Sequence, residues 1–250
     1  MALFTDDNII TLDDLAAQDS AVLDLASSEG IDLARKLSIA RDEVGVELDA
    51  MLDGSRFRDE WVPDHNAVVV TTPVRLWLTH YALELVYRDA FNTQLNERYR
   101  GKRDQFHQLA RQAADRVMSA GVGIVSAPLP QPSQPLIEET PGSIPAGVYS
   151  ITTTWVNRSG EESCAATAAV VQCNAGGGFS IRPRYVPPNA SGWNVFVGLS
   201  AETVRQQNSS AIALGEEWLQ TTAPSVAGRA PGTGQYPNYT KTLPRILRRG

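Results

Sequence analysis

Four of the six residues from Arg98 to Arg103 are basic, with Tyr99 among them and Gly101 between them. Such side chains hold phosphates by charge, and an aromatic among them can stack on a base or a cation. Arg98, Tyr99, Arg100, Lys102 and Arg103 therefore make one candidate contact, with nucleic acid or with a protein surface. Little else has a spacing suited to chemistry. His65, His80 and His107 stand apart, and no H-x-x-x-H or C-x-x-C pair occurs, so no metal site is implied. Cys164 and Cys173 lie nine apart across a predicted strand and make a poor pincer. No G-x-S-x-G elbow appears. "NAGGGFS" at 174–180 lacks a following Lys and a helix to present N–H groups, and reads as a hairpin turn. Asp13–Asp14 and Glu138–Glu139 are sequence neighbours whose side chains point apart, so neither is an acid–base dyad. The expectation is a protein that is not an enzyme and takes no cofactor.

Charge is unevenly spread over the 250 residues and their net −6. Residues 1–60 carry 15 acidic and 5 basic side chains, a balance of −10, while 61–126 and 127–250 each stand at +2. A net acidic chain argues against a general nucleic-acid coat but leaves room for a local basic patch. An acidic first third beside a mildly basic remainder suits stacking on copies or partners. "MALFTDDNII" has no signal-segment pattern, and runs such as "AVVV" at 67–70 are too short to span a bilayer. The expectation is an intracellular protein with reduced thiols and no membrane contact.

The periods that must position these residues change midway. Thr11 and Asp14 form a near capping box ahead of "LDDLAAQ". "SAVLDLASSE" predicts a second short helix ending at Gly30. Leu33, Leu37, Ala40, Val44, Leu48 and Met51 line one face of a longer helix that Gly54 closes. A short strand-like run is expected at 67–71. Thr72 as N-cap and Pro73 open a helix over 73–96 that is apolar on most sides, hence buried. Gly101 is expected to interrupt, and Phe106, Leu109, Ala110, Ala113 and Val117 line a last helix ending at Gly121. From Val148 the period becomes two: "VYSITTTWV", "SCAATAAVVQC", "FSIRPRYVPP", "GWNVFVGL", "SSAIAL" and "EEWLQT" read as strands. The predicted fold is a two-domain α+β chain: an α-helical bundle (1–120), a proline-rich linker (121–146), an antiparallel β-sandwich (147–224) and an extended C-terminal tail (225–250).

The stretches "IITLDDLAAQDSAVLDLASSEGIDLARKLSIARDEVGVELDAML" and "LELVYRDAFNTQLNERYRGKRDQFHQLARQA", covering roughly residues 8–120, resemble the head–tail connector, or adaptor, proteins of tailed bacteriophages. The resemblance implies a structural virion protein of the neck. It implies a homo-oligomeric, dodecameric ring below the portal protein that joins the head to the next neck or tail component, with double-stranded DNA passing through. Family members send a C-terminal segment to the portal. Here that segment is "QYPNYTKTLPRILRRG", with Tyr236, Tyr239, Lys241, Leu243, Arg245, Ile246, Leu247, Arg248 and Arg249 as the portal-binding residues. The β half departs from simple adaptors. "AGVYSITTTWVNRSGEES" and "GWNVFVGL" are similar to immunoglobulin-like or fibronectin-like modules, and the tail could instead belong to their edge.

Two further readings stay open. Trp155, Trp193, Trp218 and Tyr185 could form an aromatic platform for a carbohydrate or host-surface ligand, against which stands their use as sandwich core. The basic run could face DNA in a channel. Set against the −10 of the N-terminal third, its first expected use is a contact with a neighbouring copy, with non-specific DNA second.

Overall fold

The computed structural model describes residues 1–7, 9–53, 63–94 and 97–241, with 93 and 94 as backbone only. The chain forms two compact units. One holds Asp7–Ser126 and the chain from Pro237, and the other holds Met1–Asp6 and Ala127–Tyr236.

Among the described residues of the first unit, five helices follow the apolar pattern: α1 (Leu12–Gln18), α2 (Val22–Glu29), α3 (Leu33–Asp53), α4 (Thr72–Gln94) and α5 (Arg100–Ala120). The capping box forms in full, since Thr11 accepts from the Asp14 amide while Asp14 accepts from that of Thr11. Gly30 ends α2 at φ 67°, in the left-handed region that costs a glycine nothing. Gly54 lies outside the described residues. Val74, Trp77, Leu78, Ala82, Leu83, Leu85, Val86, Tyr87 and Ala90 are all buried, so α4 is the central helix, packed by α3 and α5. Each leucine sealed there contributes about 1.5–3 kcal/mol of transfer free energy.

Two local expectations need correcting. Thr72 is the first residue of α4 rather than its cap. Gly101 does not break the chain: it lies in the first turn of α5, preceded by a 3-10 turn at Glu97–Tyr99. A glycine costs little in a first turn, whose N–H groups have no intrahelical partner in any case.

The linker and tail expectations also change. After α5, Gly121 turns the chain at φ 98° into β1 (Val122–Ile124), which pairs antiparallel with β10 (Asn238–Thr240). Val68 bridges Ile124 on the other side. The tail strand thus belongs to the helical unit, not to the edge of a β module. The proline-rich stretch holds β2 (Leu136–Ile144), in which Pro141 is tolerated because β2 is an edge strand with an irregular register between Pro141 and Ile144.

The second unit is a region of antiparallel sheets. One orders β2 with β5 (Gly177–Arg182) and β9 (Trp218–Gln220). The other orders β4 (Ala169–Cys173), β3 (Gly147–Val156), β6 (Gly192–Gly198) and β7 (Arg205–Gln206), with β8 (Ile212–Ala213) also on β6. "SCAATAAVVQC" forms a regular strand over its last five residues, while its first half is held irregularly: the amides of Ser163 and Ala166 donate to the carbonyls of Trp155 and Thr153, and Cys164 bridges Thr233. The Thr152 hydroxyl donates to the carbonyl of Ala166 at 2.7 Å. Ile151, Trp155, Phe179, Ile181, Trp193, Val195 and Val197, from both sheets, share one buried cluster.

Residues 225–236, expected as part of the extended tail, are held within the β unit. Gln235 is only 2% exposed. Its side chain accepts from the Leu129 amide at 2.7 Å and donates to the Ala127 carbonyl and to Glu161, both at 3.0 Å. Glu162 gathers Arg229 at 2.7 and 3.0 Å, the Thr154 hydroxyl at 2.6 Å, the Asn194 amide at 2.9 Å and the Gly232 amide at 3.2 Å. Burial alone would push this carboxyl up, but the bonds from Arg229, Thr154 and Asn194 outweigh it and hold it below its ordinary value.

Candidate functional site

The basic junction is built from the end of α4, the 3-10 turn and the first turn of α5. Lys102 Nζ stands 2.9 Å from Asp19 Oδ2, and the Tyr87 hydroxyl donates to the same oxygen at 2.6 Å. Asp19 closes α1 as its C-cap and also accepts the Ala21 amide at 3.2 Å. Burial pushes the Asp19 carboxyl up, but Tyr87, Lys102 and Ala21 together hold it below the usual range. Tyr99 is buried, and its hydroxyl donates to Glu29 Oε1 at 2.9 Å, a bond that raises the phenol's pKa. Arg103 bonds Asp104 and lies 4.8 Å from the centre of the Phe91 ring. Arg100 reaches Glu97 at 3.3 Å, and Arg98 lies over the Tyr99 ring. Lys102 and Tyr99 therefore meet carboxylates of the acidic N-terminal third within their own unit. The guanidinium of Arg100 stays on the surface, with 58% of its side chain exposed.

Of the tail residues, Tyr236 and Tyr239 are exposed. Thr240 and Lys241 lie against Gly121, where an added methyl group would meet Thr240 O at 3.0 Å and Lys241 Cγ at 3.2 Å. Leu243, Arg245, Ile246, Leu247, Arg248 and Arg249 lie outside the described residues.

One further feature of the helical unit escaped the sequence reading. A cleft of about 460 Å³ opens between α3, α4 and α5. Val44, Trp77, Ala110 and Ala114 are its apolar lining, while Glu43, Glu47, Glu84, Tyr81, His107 and Arg111 supply charge and hydrogen-bonding groups. Tyr81 donates to Glu43, and His107 Nδ1 lies 3.0 Å from the largely buried Glu84. Burial, then the Glu43 bond, raises the Tyr81 phenol. The signal was present: Glu43 and Glu47, Trp77, Tyr81 and Glu84, and His107, Arg111 and Ala114 each recur at three- or four-residue steps, one face per helix.

The aromatic platform does not form. Trp155 and Trp193 are 1% and 0% exposed, inside the core, and Trp218 is half-buried, with its indole N–H on Gln220 at 2.9 Å. Tyr185 alone projects, 82% exposed. Among the described residues no group of three or more His, Cys, Asp or Glu is arranged to hold a metal ion, and no helix is long and apolar enough to cross a membrane.

Comparison with protein-family models, with curated proteins and with solved structures found no match. The descriptors that travelled with the connector resemblance (viral, bacteriophage, virion neck, dodecamer, DNA ejection, immunoglobulin-like domain) have no match behind them and are withdrawn as descriptions of this chain.

Proposed function

We propose that the chain is a structural adaptor, a protein that joins one assembly to the next and transforms no substrate. The observation that carries the reading is the pairing of β10 with β1. It ties the start of the Arg-rich C-terminal segment to the end of α5, so the segment leaves from the helical unit, where it can engage a partner. In this reading the helical unit associates with copies of itself, the segment from Tyr236 onward grips a portal-type ring above, and another component binds below. The central α4 gives that unit a rigid body. The two sheets of the β unit close face to face as a sandwich, a reading supported by the apolar cluster their residues share. The sandwich braces or decorates the junction. Co-sedimentation of the full chain, and of a chain ending at Lys241, with a purified portal ring tests the role. Retention of the full chain and loss of the shortened one supports it, and equal failure of both defeats it.

A further inference from the structure

The α3–α4–α5 cleft is aligned with the place where the C-terminal segment begins. His107, Ala110, Arg111 and Ala114 form one stripe of α5, and three- and four-residue steps carry that stripe on through Met118 to Gly121. Met118 is 50% exposed, an apolar side chain left uncovered midway. At the far end of the stripe, Lys241 packs against Gly121. Going back along the helix, Ala114 and His107 lie about 10 and 21 Å from Gly121 at 1.5 Å per residue.

Nine residues follow Lys241, "TLPRILRRG". Extended, they reach roughly 30 Å, enough to pass Met118 and enter the cleft. Their chemistry complements the lining. Arg245, Arg248 and Arg249 have no acidic residue among them, and Leu243, Ile246 and Leu247 alternate with them. Among the described residues the cleft offers Glu43, Glu47 and Glu84 against the cation Arg111, around an apolar lining of Val44, Trp77, Ala110 and Ala114. A guanidinium fits such a wall, because it pairs with carboxylates through a planar fork.

We infer that this cleft is the docking site of the chain's own C-terminal segment, residues 242–250, which lies back along the Met118 stripe of α5 with its arginines among Glu43, Glu47 and Glu84. The inference does not rest on the adaptor role. If both hold, a partner must draw the segment out of the cleft before gripping it.

The test is the rate of tryptic cleavage after Arg245 in the intact chain, followed by mass, beside the free peptide TLPRILRRG under the same conditions. Docking predicts cleavage at least about tenfold slower in the chain at low salt, since proteolysis follows the population of the open form. Glu43→Gln combined with Glu47→Gln, or roughly 0.5 M NaCl in the unaltered chain, should bring the rate back toward that of the peptide. A chain cleaved as fast as the peptide overturns the inference, as does protection indifferent to both salt and the glutamines. Protection that grows with protein concentration assigns the cleft to a second copy's tail and overturns the intramolecular assignment.

Discussion

Lys102 Nζ lies 2.9 Å from Asp19 Oδ2, binding the first turn of α5 to the corner between α1 and α2. The carboxylate carries more of this corner than the cation does. Asp19 holds Tyr87, Lys102 and the Ala21 amide, and is itself buried, whereas 45% of the Lys102 side chain is exposed. Asp19→Ala should therefore cost about 2–4 kcal/mol, as it strands the buried Tyr87 hydroxyl. Lys102→Met should cost no more than about 1 kcal/mol. Denaturant unfolding of both single variants and the double variant checks the order. Equal costs would contradict the account.

Acid should loosen this corner. The Asp19 pKa is lower in the folded than in the unfolded chain, so the unfolded state binds the proton first as pH falls. Its contribution is fully present above the unfolded carboxylate value near 4 and is lost as pH falls through the lower folded value. Glu162 does the same in the β unit. Melting temperature should hold from about pH 7 to 5 and drop below about pH 4. Asp19→Asn should flatten part of that drop, and an unchanged profile would remove Asp19 from the explanation.

Gly123 should admit no side chain without loosening the tail strand. A methyl group there would meet Pro237 Cβ at 2.9 Å and Thr71 Cγ2 at 3.3 Å. Gly123→Ala should cost about 1–3 kcal/mol by overpacking. Hydrogen exchange should speed up at Asn238–Thr240 before it does in α4. Unchanged protection of those amides would show that the pairing tolerates the added carbon.

Cys164 should react slowly. Burial pushes its thiol up to about 11, with the Asp6 carboxylate adding to the shift, so almost none is thiolate at neutral pH. Alkylation of the native chain at pH 8 should leave Cys164 unmodified long after a free thiol has reacted, and unfolding should abolish the difference. Rapid modification of the folded chain would contradict that environment.

Helices and sheets were readable where one period ran unopposed: the Thr11–Asp14 box, the all-round apolar α4, the alternating β3 and β6. The misses share a cause, which is partners distant in sequence. Nothing local to Lys102 points to Asp19, or links Gln235 to Leu129, or β10 to β1. A proline-rich stretch reads as linker until the sheet that pairs with it is known, as β2 does with β5. In the candidate site, Arg98–Arg103 is visible as a cluster of charge, but the inward bonds of Tyr99 and Lys102 are not, because their partners Glu29 and Asp19 lie far away in sequence. The cleft needed three helix faces to be read together.

The most direct test of the adaptor reading is native mass spectrometry of the full chain mixed with a purified portal ring, beside the chain alone and a chain ending at Lys241. The account predicts a complex carrying several copies of the full chain per ring, and none with the shortened chain. A full chain that stays free at every concentration and ratio would contradict it.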